Sequence, residues 1–288
     1  MASTVFPVAS TASTPLTQKV QEFTATGNFV VPSNTSCVQV ILVGGGGGGG
    51  YRKTSNTNPR PGSAGGGGQY IDTLIPVTPG NTYTVTIGAG GAASTSLSSN
   101  GGVGSNTTFG SLATAVGNGG GSSKDENSGT GTFTSQGGGG WAVSDSAGGG
   151  GGAGGPATML VQNSAGNINY VRGTLTSTKI PNAGSPNLSG TSTGYHIAGP
   201  GLNGFGNGGA GGYSNDLTLA INSGSFCYYS GTGSPGYFNS QTSTNVAAVA
   251  PTANTGDGGH GAACNNVANS VAGTTAGASG YAKVIYWS

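Results

Sequence analysis

Charge is nearly missing from this chain: 288 residues carry eight basic and seven acidic side chains, for a net charge of +1. Binding a phosphate backbone needs clustered Lys and Arg, which eight scattered cations do not supply. Nucleic acid, an acidic partner and an anionic membrane surface are disfavoured on that ground. Long apolar runs are missing too, none approaching the roughly 20 residues that span a bilayer, so no membrane insertion is expected. The opening Met1-Ala2-Ser3-Thr4-Val5-Phe6-Pro7 has neither a basic n-region nor a continuous apolar h-region, and is not read as a secretory signal. Three cysteines are too few for a disulfide framework. Cys37 reads as a small buried apolar group in a strand, and a Cys227–Cys264 bridge stays open. No segment repeats apolar residues at i, i+3, i+4 and i+7 over two turns, so essentially no α-helix is expected.

What the chain has instead is glycine, 62 residues of it, seven of them consecutive at positions 44–50. Shorter glycine-dense stretches follow at 65–68, 117–121, 137–140, 148–155, 204–212 and 256–261. Glycine is the most entropically costly residue to order, so a folded chain this rich in it uses the missing side chains. Disorder is the other reading, but that signature pairs low hydrophobicity with high net charge, and apolar residues punctuate this chain to its end. The runs lack the strict Gly-X-Y period of collagen. Polyglycine in the polyproline II geometry advances about 3.1 Å per residue with no internal hydrogen bonds. Its peptide groups must find partners laterally, and bare backbones lie close enough to supply them. Seven residues would then span roughly 22 Å.

Conventional strands supply the core. Phe29-Val30-Val31-Pro32 follows the Gly27-Asn28 turn, and Cys37–Val43 is rich in β-branched residues. The alternating stretches 69–77 and 82–87 flank the turn Thr78-Pro79-Gly80-Asn81. Weaker strands lie at 107–109 and 112–116, and 280–287 closes the chain. The expected fold is all-β: a small antiparallel base, a bundle of polyglycine II helices and long polar loops. Residues 1–19 form an extended arm and 20–288 the domain. If each glycine run crosses the bundle once, 44–50 leaves the base and 65–68 returns, 117–121 leaves and 137–140 returns, and 148–155 leaves and 204–212 returns. The loops 51–64, 122–136 and 156–203 then lie at the far end, and 213–255 lies near the base unless it hides a further crossing.

Chemistry-bearing motifs are sparse. Val38–Val43 followed by glycines superficially matches a dinucleotide-binding turn, but a polar loop follows where a helix is required. Asp257, His260 and Cys264 are the nearest approach to a metal constellation, short of a fourth ligand. Acidic residues are too scattered for a catalytic carboxylate pair, and neither catalysis nor a cofactor is expected. Aromatic residues on held loops suit recognition, adding contact area at low entropic cost. Tyr228, Tyr229, Tyr237 and Phe238 cluster in one glycine-rich loop, and Tyr195 with His196 forms a second group. With Tyr51, Arg52, Lys53 and Arg60 of the first long loop, these are the candidate receptor-binding residues. Trp141 and Trp287 read as packing residues.

The opening Glu22-Phe23-Thr24-Ala25-Thr26-Gly27-Asn28-Phe29-Val30-Val31-Pro32, then Val38-Gln39-Val40-Ile41-Leu42-Val43 and the glycine run, resembles the glycine-rich domain of bacteriophage tail-fibre and receptor-binding proteins. The middle, Val77-Thr78-Pro79-Gly80-Asn81-Thr82-Tyr83-Thr84-Val85-Thr86-Ile87-Gly88, and the close, Gly280-Tyr281-Ala282-Lys283-Val284-Ile285-Tyr286-Trp287, are similar as well. The resemblance implies a non-enzymatic virion protein, a tail-fibre-associated adhesin or tip protein whose distal loops contact a host glycan or outer-membrane protein. Assembly in the host cytoplasm fits the missing export signal. The arm 1–19, with no shaft before the domain, is expected to dock on another virion protein, and a trimer is the expected oligomer. A capsid or tail decoration protein and a glycan depolymerase are the alternatives, and an ice-binding bundle is disfavoured by the irregular glycine spacing.

Overall fold

The computed structural model describes residues 15–50, 64–95, 99–120, 142–143, 146–147, 153, 158–162, 168–172, 193–199, 201–209, 213–214, 227–228, 231–234, 237–239, 244–261, 263–264 and 271–288. The apolar–polar alternation near the termini becomes seven early strands: β1 (Gln18–Phe23), β2 (Gly27–Val30), β3 (Cys37–Val43), β4 (Tyr70–Pro76), β5 (Thr82–Thr86), β6 (Thr107–Phe109) and β7 (Ala113–Ala115). Short strands follow: β8 (Ala142–Val143), β9 (Ser146–Ala147), β10 (Thr158–Gln162), β11 (Ile168–Arg172), β12 (Thr193–Ile197), β13 (Tyr213–Ser214), β14 (Cys227–Tyr228), β15 (Tyr237–Asn239), β16 (Thr244–Val246), β17 (Ala263–Cys264) and β18 (Val271–Ala272). The chain ends in β19 (Tyr281–Trp287). Among the described residues there is no helix, and the fold is all-β.

Two four-stranded antiparallel sheets form the base, in the orders β1-β19-β3-β4 and β2-β5-β6-β7. Period-two alternation turns Phe23, Val38, Val40, Leu42, Ile75, Ala282 and Val284 of the first sheet inward. They meet Phe29, Val85, Phe109 and Ala115 of the second. The Phe29 ring sits edge-on to Tyr286 at 5.3 Å and 6.0 Å from Phe109. At about 1.5–3 kcal/mol for each large apolar side chain removed from water, this sandwich is the conventional core. The same alternation puts Cys37 on the opposite face of β3, exposed, rather than buried as the sequence suggested. Trp287 shares that outer face and is 37% exposed, so it is not the packing residue expected. The expected arm also ends earlier than residue 19, since Gln18 and Lys19 already pair with Trp287 and Tyr286.

From this base the glycine tracts run as extended chains bonded sideways with a period of three. Gly44 and Gly47 donate to Gln69 and Gly66, Gly45 and Gly48 to Ser105 and Gly102, and Gly46 and Gly49 to Ala278 and Thr275, all at 2.8–2.9 Å. A Cβ added at the same three pairs would strike the carbonyls of Val116 and Gly119, Ala89 and Ala92, or Asp257 and His260. Six tracts therefore surround 44–50: 64–69, 88–95, 99–105, 116–120, 256–261 and 273–280. Each of Gly44–Gly49 faces a neighbouring backbone, which is why the run is glycine across those six positions. Peripheral tracts need glycine only on the sides that face a neighbour, and so carry residues such as the exposed Val103.

Bond order fixes direction. Tract 64–69 runs antiparallel to 44–50, and 88–95 runs parallel to it through Gly91→Gly46 and Ser94→Gly49. The outward course of 116–120 matches the sequence reading. Three crossings were missed (88–95, 99–105 and 273–280), because small residues interrupt their glycines. One direction was wrong. Gly209 donates to Gly65 while Gly206 abuts Gly68, so 206–209 runs outward rather than returning. The inward crossing runs through Ala198-Gly199 and Gly201, and Asn203-Gly204, both with positive φ (51° and 85°), reverse the chain between bridge partners Leu202 and Phe205. The stretch expected near the base does hide a crossing: 231–234 climbs beside 257–260, and the Ser234–Val249 bridge leads the chain back toward Asn254. The run at 137–140, the run at 148–155 apart from Ala153, and the loop 122–136 lie outside the described residues.

Candidate functional site

The outward ends of the tracts carry the small sheets. Tract 206–209 leads toward β13, 231–234 toward β15 and 256–261 toward β17, while β12 and β18 precede the inward tracts. Strands β11-β10-β12-β14 form one sheet, and β16-β15-β13-β9-β8 form another. Two groups of predicted residues, far apart in sequence, meet in the first of these. His196 is registered with Cys227 and Ile197 with Tyr228, so Tyr195, His196 and Tyr228 belong to one sheet. Tyr237 and Phe238 lie in the second, registered with Tyr213 and Ser214. Thus the segment expected near the base holds distal strands instead. Sequence reasoning did not single out Tyr213 or Tyr170, the latter across β11–β10 from Leu160; strand register alone reveals them. Tyr51, Arg52, Lys53, Arg60 and Tyr229 lie outside the described residues, as do the side chains of Cys227 and Cys264. The backbone assigns those two cysteines to different sheets.

What anchors the aromatic segment is a buried polar cluster. Asp257 and His260 stand three residues apart in a tract of period three, and so lie on one line. The Asp257 Oδ1 accepts from the Asn207 backbone N–H and from its Nδ2, each at 2.9 Å. Its Oδ2 accepts from the Thr232 N–H at 3.1 Å and from Thr232 Oγ1 at 3.2 Å. Four donors fill the carboxylate's acceptor capacity, and hydrogen bonds to a charged acceptor are the stronger kind. The His260 Nε2–H donates to the Thr232 carbonyl at 2.9 Å, and the His260 backbone N–H donates to Thr275 Oγ1 at 2.7 Å. Gly233 adopts φ +85°, and a Cβ there would meet His260 Nε2 at 2.7 Å. These two residues, weighed above as metal ligands, instead clamp 231–234, the link between β14 and β15. The chemistry of the cluster is structural: it fixes where the strands bearing Tyr228 and Tyr237 leave the bundle.

A second clamp holds the 202–205 turn against the base. The Phe205 ring stacks on Tyr281 at 5.1 Å and on Tyr70 at 6.3 Å, and Asn203 Nδ2 donates to the Tyr70 hydroxyl at 2.9 Å. Burial and the adjacent Glu22 carboxylate hold the Tyr281 hydroxyl well above its ordinary range. Lys283 Nζ pairs with Glu22 at 2.9 Å, and that contact with the Tyr281 hydrogen bond lowers the Glu22 pKa.

Residues 23–287 match a family model described as a glycine-rich domain. The chain belongs to this family. No curated protein matches the chain. The glycine-rich domain therefore takes in both the base and the tract bundle, from Phe23 in β1 to Trp287 in β19.

Proposed function

We propose that this glycine-rich domain is a non-enzymatic bacteriophage virion protein, an adhesin at a tail-fibre tip that touches the host surface with its distal strands and loops. The observation that carries the reading is the division of labour along the tracts. Backbone hydrogen bonds make a stiff post, and aromatic-bearing strands sit at its outward end with their link clamped by Asp257 and His260. Rigid presentation lowers the entropy lost on binding. A host glycan or outer-membrane protein is the partner such a tip would contact, and the segment before β1 is the mount on another virion protein.

Binding of the purified, labelled full chain to intact bacteria from a strain panel, and to arrays of their surface glycans and outer-membrane proteins, tests this. Saturable binding is expected on a subset of strains, weakened at least tenfold by Tyr237→Ala combined with Phe238→Ala without a change in melting temperature. Absence of saturable binding throughout, or binding indifferent to those substitutions, would overturn the distal-tip reading. Hydrolysis of a host polysaccharide by the purified chain would replace it with a depolymerase.

A further inference from the structure

The outer face of the first base sheet is largely apolar, and among the described residues nothing covers it. Register pairs Gln18 with Trp287 and Cys37 with Pro76 at the outer end of the sheet, and aligns Val20, Ile285, Gln39 and Leu74 in the next row. Leu16, one pleat before Gln18, extends the same face. Leu16 is 62% exposed, Val20 52% and Leu74 65%, and these with Trp287 are four of the nine exposed large hydrophobic residues among the described ones. The charges lie in the third row, toward the bundle. There Glu22 is paired with Lys283 at 2.9 Å, and Asp72 accepts from Gln39 Nε2 at 2.7 Å. The fourth row is closed by the Phe205 stack. The result is an apolar centre with a polar rim on one side, the anatomy of an interface core.

We propose that this face is the interface between two copies of this chain, packed sheet on sheet about a two-fold axis. The inference is independent of the adhesin reading. A face whose first two rows carry no charge meets its own copy there without like charges opposed, and a two-fold axis closes the assembly with one patch. An anionic lipid surface is disfavoured, since the face's one cation, Lys283, is neutralised by Glu22. Four strands about 4.8 Å apart and six residues at about 3.4 Å each give roughly 400 Å² in projection. Side-chain relief makes the accessible area larger, so two copies bury on the order of 1,000 Å², at the low edge of specific interfaces. A weak, reversible dimer follows, its two sheets about 10 Å apart as in a β-sandwich.

Sedimentation of the full chain over a range of micromolar concentrations reads this out. The mass is expected to rise toward twice the 27.5 kDa of one chain. Leu74→Lys is expected to weaken association at least tenfold. Val30→Lys, at a 61% exposed position on the second sheet, is expected to leave it unchanged. The unmodified chain gives a readout that no folding defect in a variant can obscure. Alkylation of Cys37, read by peptide mass, is expected to slow as concentration rises. A single-chain mass at every concentration, a trimer, or Cys37 labelling independent of concentration would overturn the proposal. So would a dimer that ignores Leu74→Lys.

Discussion

Replacing Gly47 by alanine tests the architecture where it is least forgiving. An added Cβ would clash with the Gly119 carbonyl and lie 2.8 Å from the Gly120 nitrogen, all of it backbone that cannot rotate away. Restoring ordinary contact requires tract 116–120 or 44–50 to retreat by roughly 1.5 Å. Three hydrogen bonds run through that point: Gly47 to Gly66 at 2.8 Å, Gly259 to Gly47 at 2.7 Å and Gly66 to Gly119 at 3.0 Å. Each, once lost inside the bundle, leaves groups unsatisfied at about 1–3 kcal/mol. The sum is roughly 3–9 kcal/mol against a total stability of about 5–15. Alanine's smaller unfolded-state entropy returns only about 0.4–1 kcal/mol. At about 2–4 °C per kcal/mol for a chain of this size, the net loss should lower the melting temperature by at least ~4 °C in a thermal-unfolding assay. The matched control is Gly273→Ala, where a Cβ meets nothing within 4 Å; its melting temperature should hold or rise slightly. If Gly47→Ala melts with Gly273→Ala, the tracts are not packed backbone to backbone, and the account of the bundle fails.

Asp257→Ala strands the buried Asn207 N–H, costing about 1–3 kcal/mol, and releases the Thr232 N–H; hydrogen exchange at Thr232 should accelerate, and unchanged exchange would deny the clamp. Phe205→Ala removes two stacked contacts and should cost about 1–3 kcal/mol by denaturant titration, loosening the 202–205 turn without unfolding the base. Alkaline pH should destabilise the fold. Tyr281 stays neutral in the folded chain while an unfolded tyrosine ionises near 10.0, so stability is lost as pH rises above that value. Tyr281→Phe should abolish this part of the alkaline loss, measured as melting temperature against pH. Glu22 has the opposite sign: its folded pKa lies below 4.5, so its stabilisation is present above that pH and fades in acid.

The base was legible because alternation is local: Val38, Val40 and Leu42 point one way and Gln39 and Ile41 the other, whatever the rest of the chain does. The first pair of crossings was legible from glycine purity. Counting failed where crossings contain Ala, Ser, Thr or Val, as in 88–95 and 273–280, because a position facing solvent tolerates a side chain. It failed again at Asn203-Gly204, a tight reversal hidden inside a glycine-dense stretch that passed for one crossing. The aromatic candidates were found as residues but not as neighbours. Tyr195 and Tyr228 share a sheet only through a parallel pairing of β12 with β14.

By itself the sequence determined that bare backbones must satisfy one another, since a glycine run offers no other partner, and that short alternating strands must supply the apolar core. Only the tertiary structure decided which tract stands at the centre, in which direction each one runs, and that Asp257 and His260 are a clamp rather than ligands. Those outcomes depend on which carbonyl lies opposite which N–H across tens or hundreds of residues. Glycines are interchangeable in composition, and packing alone tells them apart.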